Sequence, residues 1–473
     1  MGVLSNLEPQ SVFHYFEEIT KIPHGSGNVE QISNFLAAFA EERGLFHIQD
    51  AWKNVIIVKE ATPGYEKEPA VILQGHMDMV CEKAPDCDKD MDEEGLDLLI
   101  DGDFISAKGT TLGGDDGIAV AYALAILDDD SLSHPRLEFV CTVCEEVGME
   151  GATGIDVSML KGKKLLNMDS EEEGVMLASC AGGCRADVKL PVERETVNGT
   201  KLTVSLSGLT GGHSGSEIDK GRGNANTLMS RLLRDASAPV AIASIEGGRK
   251  DNAIPRECTA QIIAAPDQAE AVKASIEQAA AEIAEEFKAS DPDLKLTVSE
   301  ETDCSESAIS AKDSARVIAL IEALPNGIIR MSREIDKLVE TSLNLGVLKS
   351  DDTAVTLRYA VRSSVGVAKK SLKNQLVCIA GAFAAEVTFE GDYPAWEYKK
   401  DSKLREDMVR IFEEMYGKKP TVEAIHAGVE CGLLSGKIEG LDCISMGPDM
   451  YDIHTTEERL SISSAKRSYE YIL

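Results

Sequence analysis

The segment PAVILQGHMD, residues 69–78, decides the fold class. Its first half is apolar enough to form a central strand, because strands that are buried on both faces are nearly continuous hydrophobic runs. His76 and Asp78 follow at the point where this strand should end. In open α/β sheets ligands bind beyond the carboxyl ends of the strands, so the segment predicts both an α/β sheet and a site at its edge.

The same arrangement occurs twice more along the chain. The run LEFVCTVC, residues 137–144, is followed by Glu145 and Glu146, and the run KLLNM, residues 164–168, is followed by Asp169. Groups that are far apart in sequence can therefore converge at one edge of a sheet. A lone Glu-Glu pair would mean little, but ligand-type residues after three separate strands are hard to explain by chance.

The surrounding pattern predicts an α/β fold with an insertion. Helical periodicity before and between the strands, as in residues 8–42 and 118–127, indicates parallel pairing. From 185 to 393 strands and helices alternate differently, and one helix is long and amphipathic; we find no internal repeat. We predict a catalytic domain with a mixed, largely parallel sheet over 1–184 and 394–473, interrupted by an inserted α+β lid domain over 185–393.

Composition limits the partners and the compartment. With 48 basic and 81 acidic side chains, the net charge of −33 disfavours binding to nucleic acid and to anionic membranes. The eleven cysteines lie mostly in apolar runs and are expected to be reduced core thiols. The start of the chain does not resemble a secretion signal, and no uncharged stretch could span a bilayer. We expect a cytoplasmic protein, with a few further residues beyond Leu473, which lies inside a predicted helix.

Imidazole and carboxylate groups together are the ligand set of zinc or a similar divalent ion. One carboxylate must bridge if two ions lie close together. Asp78 is too close in sequence to His76 to be an obvious second ligand, so it is expected to orient the imidazole. In an extended segment neighbouring side chains point in opposite directions, so either Glu145 or Glu146 can bind metal while the other holds the nucleophilic water. The candidate ligand groups are His76, Asp78, Asp115, Asp116, Glu145, Glu146, Asp169 and His454.

At this point the sequence resembles the aminoacyl-histidine dipeptidases, cytosolic Xaa-His dipeptidases of the peptidase D group within the aminoacylase and carboxypeptidase clan. The resemblance covers essentially the whole chain. It implies a zinc-peptidase catalytic domain interrupted by a lid domain, usually in a homodimer. The motifs that carry it are QGHMDMV (74–80), GTTLGGDDG (109–117), EEVGM (145–149), NMDSE (167–171), GGHSG (211–215) and IHT (453–455).

The resemblance also implies a metal role for five residues. Asp115 would bridge two divalent ions, of which zinc is the first choice and manganese or cobalt the alternatives. His76 and Asp169 would bind one ion, and Glu146 and His454 the other.

Further roles follow from the same resemblance. Glu145 would be the general base and Asp78 the orienting group. His213 matches a lid histidine that, in dimeric relatives, reaches the partner's site and polarises the scissile carbonyl. Three positions match substrate-contacting residues, namely Asn252, Arg362 and Gly428.

The predicted activity is hydrolysis of dipeptides, with Xaa-His dipeptides as the expected class, by a metal-bridged water and a glutamate base. Relatives elsewhere in the clan often carry lysine where this chain has Gly117, which favours the dipeptidase branch. Two alternatives stay open: another hydrolase of the clan, such as an aminoacylase or a peptidase of different specificity, and a non-catalytic metal-binding scaffold.

Overall fold

A computed structural model describes residues 2–473 and divides the chain into two units. The first unit comprises residues 1–180, 398–424 and 429–473, and the second comprises 181–397 and 425–428. The sequence-based boundaries at 184/185 and 393/394 each differ by four residues from those of the structure. Gly182 and Cys184 lie in one strand of the second unit, and the backbone at Ala395 packs against Gly182.

Residues 425–428 were not predicted to belong to the second unit. Their backbone joins it through Ala181, whose N–H lies 3.2 Å from the carbonyl of Ile425 and 3.1 Å from that of Ala427. The side chain of His426 contacts Ser342 of the second unit, at 2.7 Å. A short segment of the chain's C-terminal part therefore returns to the inserted unit.

The first unit contains a central sheet with helices, and it carries the three predicted ligand-bearing strands. Its elements up to residue 180 are α1 (Gln10–Thr20), α2 (Glu30–Glu42), β1 (Phe46–Gln49), β2 (Val55–Lys59), β3 (Val71–His76), β4 (Leu98–Asp101), β5 (Phe104–Ala107), α3 (Gly114–Asp128), β6 (Leu137–Thr142), α4 (Glu145–Gly148), α5 (Glu150–Gly154), β7 (Lys164–Asn167) and β8 (Val175–Cys180).

The second unit holds most of the antiparallel structure. Its elements are β9 (Gly182–Pro191), β10 (Arg194–Ser207), β11 (Gly212–His213), a 3-10 turn (Ile218–Lys220), α6 (Ala225–Arg234), β12 (Ala241–Gly247), β13 (Ala253–Ile254), β14 (Cys258–Ala264), α7 (Ala269–Phe287), β15 (Lys295–Ile309), α8 (Ala311–Ala323), β16 (Gly327–Met331), β17 (Val339–Ser350), β18 (Ala354–Ser363), α9 (Gly366–Ala382) and β19 (Glu386–Tyr393).

The last part of the chain completes the first unit. It contributes α10 (Lys403–Tyr416), β20 (Thr421–Ile425, whose last residue already belongs to the second unit), α11 (Glu430–Lys437), β21 (Asp442–Ser445), β22 (Met450–Tyr451), β23 (Arg459–Ser461) and α12 (Ile462–Ile472).

The main sheet of the first unit is mixed, as predicted. Its strand order is β1-β2-β6-β3-β7-β21-β8-β20. The central strands, from β6 through β3 and β7 to β21, pair in parallel, whereas β1 with β2, β2 with β6 and β8 with β21 pair antiparallel. Helix α3 is buried from Asp116 to Leu127 and packs with α1 in the core, around Phe16 and Tyr122. This core fixes the strand ends from which the ligand residues emerge.

The second unit contains a structural repeat that the sequence does not reveal. One half (β10, α6, β12, β14, α7, β15) is inserted into another (β9, α8, β17, β18, α9, β19). Read from edge to centre, the strand orders are β15-β10-β14-β12 and β19-β9-β18-β17, so equivalent strands take equivalent places. The halves meet where β12 and β17 pair antiparallel, at Glu246–Lys349 and Gly247–Leu348. Each half has two helices to cover its share of the sheet.

The helices of residues 2–473 include none with the length and apolar character needed to cross a membrane.

Candidate metal centre

Three strands deliver ligand-type residues to one edge of the main sheet. β3 pairs in parallel with β6 and with β7, so that His76 lies opposite Thr142 and Gln74 lies opposite Asn167. Because the strands are in register, the residues that follow them emerge at the same edge. His76 ends β3, and Asp169 lies two residues beyond the end of β7. The convergence expected from the sequence is therefore present.

The structure brings five predicted ligands together, and we call them the cage: His76, Asp115, Glu146, Asp169 and His454. His76 Nε2 lies 3.2 Å from Asp115 Oδ1 and 3.5 Å from Asp169 Oδ1. His454 Nε2 lies 2.8 Å from Glu146 Oε1 and 3.2 Å from Asp115 Oδ2. Asp115 thus directs one oxygen towards each histidine, which is the arrangement that a bridging carboxylate requires.

Asp115 reaches this position from a tight turn. The preceding Gly113 has φ +68°, in the left-handed region that glycine adopts without strain. A Cβ at Gly113 would also lie 2.8 Å from Met79 Sδ. The glycine-rich run before α3 therefore brings the chain close to the end of β3.

The cage brings several carboxylates together at a buried position, where burial disfavours their ionised forms. Burial raises the pKa of Asp169 to about 6, and nearby Asp115 and Glu146 act in the same direction. Burial opposes ionisation of Asp115, but hydrogen bonds from His454 and His76 outweigh it and lower its pKa. The hydrogen bonds that Asp115 and Glu146 accept from His454 raise the pKa of this histidine to about 10. Protonated histidines here neutralise the carboxylates, as a bound cation would.

The donor set fits divalent metal ions. The ligand atoms of His76, Asp115 and Glu146 lie within 4.8 Å of one another, and so do those of His76, Asp116 and Asp169. Two imidazoles with three carboxylates are typical of zinc or a related ion. Asp116 was noted in the sequence but not chosen as a ligand. Its Oδ2 accepts a hydrogen bond from the backbone N–H of His76, and its buried Oδ1 has no partner.

The orienting group of His76 differs in detail from the prediction. His76 Nδ1 lies 2.9 Å from the backbone carbonyl of Asp78 and 3.6 Å from the carboxylate Oδ1. The carbonyl therefore accepts a hydrogen bond from Nδ1–H, which leaves Nε2 free to bind metal. The Asp78 carboxylate instead accepts hydrogen bonds from the hydroxyl of Ser26, at 2.7 Å, and from the backbone N–H of Glu145, at 3.1 Å. Asp78 thereby ties β3 to the segment that carries both glutamates.

The expectation that Glu145 and Glu146 lie in an extended segment is wrong. Both belong to the first turn of the short helix α4. Cys144, the residue before this helix, takes a left-handed conformation with φ 57°, so the backbone does not continue as an extended strand. The two side chains still differ in surroundings. Glu146 contacts His454, whereas burial raises the pKa of Glu145 well above its usual range. A glutamate with a raised pKa suits proton transfer.

Basic side chains form a separate group in the second unit, which we call the basic cluster: His213, Arg362 and His426. An Arg362 amino group lies 3.5 Å from His213 Nε2, and Arg362 Nε is buried without a hydrogen-bond partner. A Cβ at Gly215 would lie 2.5 Å from the carbonyl of His426 and 3.2 Å from Arg362 Nε, so the glycine permits this close approach. His426 was quoted in a sequence motif but was not selected.

Burial and the charge of Arg362 disfavour the protonated forms of both histidines of the basic cluster. Burial and Arg362 lower the pKa of His213, and burial, Arg362 and His213 lower that of His426 to about 3. His213 Nδ1 accepts a hydrogen bond from the backbone N–H of Ser216, at 3.1 Å. Neutral His213 carries one ring proton, and a proton on Nε2 could be donated to a carbonyl oxygen.

The two other predicted substrate contacts also lie in the second unit. Pairing of β11 with β13 places His213 opposite Ala253, next to Asn252. The side chain of Asn252 is exposed, and its backbone carbonyl accepts a hydrogen bond from Ser214. Gly428 ends the segment 425–428 that carries His426. Sequence reasoning missed Ser26, a small polar residue in a loop with no distinguishing pattern.

Residues 204–291 match the family model described as the peptidase dimerisation domain. This range lies within the second unit and covers most of its inserted half.

Similar proteins cover nearly the whole chain. The cytosol non-specific dipeptidase of Escherichia coli is 36% identical over 469 residues, which is 98% of this chain and 96% of the relative. The crystal structure of aminoacylhistidine dipeptidase from Vibrio alginolyticus has a TM-score of 0.89 and 34% identity, over 99% of this chain and 96% of that one. Aminopeptidase PepT from Bacillus cereus shares the fold, with a TM-score of 0.56 and 15% identity. The match covers 98% of this chain and 97% of that one.

Proposed function

Because the chain belongs to the M20 family of metallopeptidases, we propose that the cage is its active centre and that its preferred substrates are Xaa-His dipeptides. The chain is a metal-dependent dipeptidase. The observation that carries the assignment of the centre is Asp115, whose two carboxylate oxygens face His76 and His454 separately. The preference for C-terminal histidine takes its support from the similarity to the Vibrio aminoacylhistidine dipeptidase.

We assign two divalent ions, most simply Zn²⁺, to the cage. His76, Asp169 and one oxygen of Asp115 would hold the first ion, and His454, Glu146 and the other oxygen of Asp115 the second. When bound, such ions lower the pKa of water and polarise a carbonyl oxygen. Five ligands exceed what one tetrahedral ion needs, which supports two ions rather than one.

Glu145 acts as the proton carrier of the reaction. It removes a proton from the attacking water and returns it to the amine that leaves. The hydrogen bond from its backbone N–H to Asp78 fixes it relative to His76. The raised pKa of this buried carboxyl suits both halves of the cycle, because it first accepts the proton and then releases it.

The basic cluster recognises the substrate. Arg362 has a buried, unpaired Nε, so a carboxylate would supply the hydrogen bonds that the protein does not. We assign it to the C-terminal carboxylate of the dipeptide, which explains why short substrates are preferred: a longer peptide would place no carboxylate there. His213 donates from Nε2 to the carbonyl oxygen under attack, and Asn252 and Gly428 complete the substrate contacts.

The chain acts as a homodimer in the cytoplasm, and His213 of one subunit serves the cage of the other. The match to a peptidase dimerisation domain and the similarity to a cytosol dipeptidase support the first two statements. The last follows from the resemblance to dimeric relatives. Since His213 and Arg362 lie 3.5 Å apart in one chain, both serve the same cage.

A panel of dipeptides tests the activity and the specificity. Apoprotein should be inactive, and Zn²⁺, Mn²⁺ or Co²⁺ should restore hydrolysis. Substrates with C-terminal histidine should be cleaved with the highest kcat/KM, and C-terminally amidated dipeptides should be poor substrates. Equal rates for all C-terminal residues would overturn the histidine preference, and metal-independent hydrolysis would overturn the assignment of the centre.

Mixing two inactive variants tests the arrangement across the dimer. Glu145→Gln combined with His213→Ala should give heterodimers in which one site has an intact cage and an intact histidine, so activity returns. Glu145→Gln combined with Arg362→Met, which is impaired rather than inactive, should give heterodimers with more activity than Arg362→Met alone. Heterodimers verified by mass that show no gain over the separate variants in either mixture would show that the basic cluster serves the cage of its own chain.

A further inference from the structure

Glu458 is a carboxylate that the reaction does not use, although it lies beside the cage. The residue is only 3% exposed. Its Oε2 accepts hydrogen bonds from the backbone N–H groups of Leu112, at 2.7 Å, and Gly113, at 3.1 Å. Its Oε1 accepts a third from Gly114, at 2.8 Å. Three successive backbone donors thus converge on one side chain.

These bonds connect the two segments that carry the central ligands. Asp115 is the residue after Gly114, and His454 lies four residues before Glu458. The segments are 344 positions apart in the chain, counted from Gly114 to Glu458. Among the ligand-bearing segments, these two supply the bridging carboxylate and the histidine that faces its second oxygen. Any change in the Glu458 bonds therefore acts on the distance between Asp115 and His454.

Both segments are anchored on their outer sides. β22 and β23 pair at Tyr451 and Arg459, which closes the loop that carries His454, and the backbone N–H of Glu458 donates to the carbonyl of Thr455. β23 pairs in turn with β5. The turn before α3 owes its row of aligned N–H groups to the left-handed Gly113. Successive N–H groups in such a conformation form an anion-binding concavity, and here a side chain fills it.

We propose that Glu458 is a positioning residue of the metal centre, which sets the spacing of Asp115 and His454 by holding the turn 112–114 against the loop 452–458. This inference rests on the proposed assignment of two metal ions to the cage. Glu458 touches neither the ions nor the substrate. It acts through the two ligands whose backbones it connects.

The chemistry requires a carboxylate at this position. Three N–H donors face two oxygens, and both oxygens are occupied. Glutamine keeps the shape but presents one oxygen and one NH₂ group, so that a donor would face a donor. Aspartate is one methylene shorter and cannot keep all three bonds without moving the loop. Groups that orient metal ligands typically contribute 10-fold to 100-fold to metal affinity.

The test compares Glu458→Gln with Glu457→Gln, a matched control. Glu457 is the neighbouring residue, is exposed, and makes none of these bonds. Zn²⁺ affinity is measured on apoprotein by competition with a chromophoric chelator, and bound zinc is counted after dialysis. We expect Glu458→Gln to bind at least one ion about 10-fold to 100-fold more weakly, with Glu457→Gln unchanged. Two ions bound with wild-type affinity by Glu458→Gln would overturn the inference. Wild-type protein that binds fewer than two ions would overturn the proposed function instead.

A second measurement needs no substitution and stays informative if Glu458→Gln fails to fold. Hydrogen exchange of wild-type protein is followed with and without Zn²⁺. Because Glu458 connects the segments, peptides that cover 110–118 and 450–461 should gain protection together and at the same zinc concentration. Protection of one segment without the other would show that they respond independently, which contradicts the proposal.

Discussion

The cage and the basic cluster are opposites in charge and in construction. In the cage, every histidine nitrogen that faces the centre meets a carboxylate oxygen. In the basic cluster, Arg362 faces His213, and a buried guanidinium nitrogen has no partner. Each region is therefore incomplete in the opposite sense: the cage requires cations and the cluster requires an anion. A metallopeptidase that acts on short substrates needs both requirements met at once.

The same difference is visible in one residue type. The pKa of His454 is raised to about 10 because the hydrogen bonds that Asp115 and Glu146 accept from it favour its protonated form. The pKa of His426 is lowered to about 3 because burial and the charge of Arg362 disfavour it. The pKa of each histidine thus shifts according to the charge of the groups around it.

Glu145→Gln should remove catalysis and leave the cage intact. The amide keeps the shape but cannot accept a proton, so kcat should fall by about 10²-fold to 10⁴-fold, with Zn²⁺ binding unchanged. Steady-state kinetics and zinc titration measure the two quantities. Glu150→Gln, an exposed glutamate in the next helix, is the matched control and should be fully active. Loss of zinc by Glu145→Gln would mean that the roles of Glu145 and Glu146 are reversed.

Removal of the ions should destabilise the cage and leave the basic cluster unaffected. Ligand binding stabilises a folded protein by about 4 kcal/mol when the free ligand is at a thousand times its Kd. Urea unfolding with zinc and with a chelator should show a difference of this order in wild-type protein and in His213→Ala. Glu146→Gln should show a smaller difference. An equal loss in Glu146→Gln would place Glu146 outside the metal site.

Arg362→Met should impair recognition of the substrate carboxylate. A hydrogen bond to a charged group contributes about 1.5–3 kcal/mol, so kcat/KM for dipeptides should fall by roughly 10-fold to 150-fold. The loss should be much smaller for C-terminally amidated dipeptides, which have no carboxylate to lose. Arg358→Met is the control, because Arg358 lies on the same strand but pairs with Asp187. Equal losses for both kinds of substrate would contradict the anchoring role.

His426→Gln should change how stability depends on pH. Because the folded-state pKa of His426 is lowered to about 3 from 6.5, the unfolded chain binds more protons between these values. Stability is then fully present above pH 6.5 and falls towards pH 3, by at most about 1.4 kcal/mol for each pH unit. Urea unfolding of metal-free protein at pH 8, 6 and 5 should show a shallower decline in His426→Gln. An equally steep decline would mean that His426 is not buried in its neutral form.

How much the sequence predicts differs between the two regions. The cage residues follow strands whose apolar character is visible in the sequence, and parallel register brings the strand ends together. Glu145 shows the limit, since a left-handed Cys144 turned the predicted extended segment into a helix. Glu458 could not be separated from Glu457 by residue type or spacing; only the turn at 112–114 distinguishes them.

The second unit was less predictable for a physical reason. Its sheet is antiparallel and pairs strands from distant parts of the chain, so no local rule says which loops meet. The repeat of its two halves lies in strand order, which apolar patterning leaves undetermined. His426 joins Arg362 because a four-residue segment of the C-terminal part returns to this unit. Hydrophobic periodicity does not indicate to which unit so short a segment belongs.

We propose that one cage holds two ions, with Asp115 between them. Crystals grown without chelator and with Zn²⁺ present, measured on both sides of the zinc absorption edge, test it most directly. We expect two anomalous peaks per chain, one bound by His76 and Asp169 and the other by Glu146 and His454, with one Asp115 oxygen on each. A single peak, or a second ion bound away from His454, would contradict it.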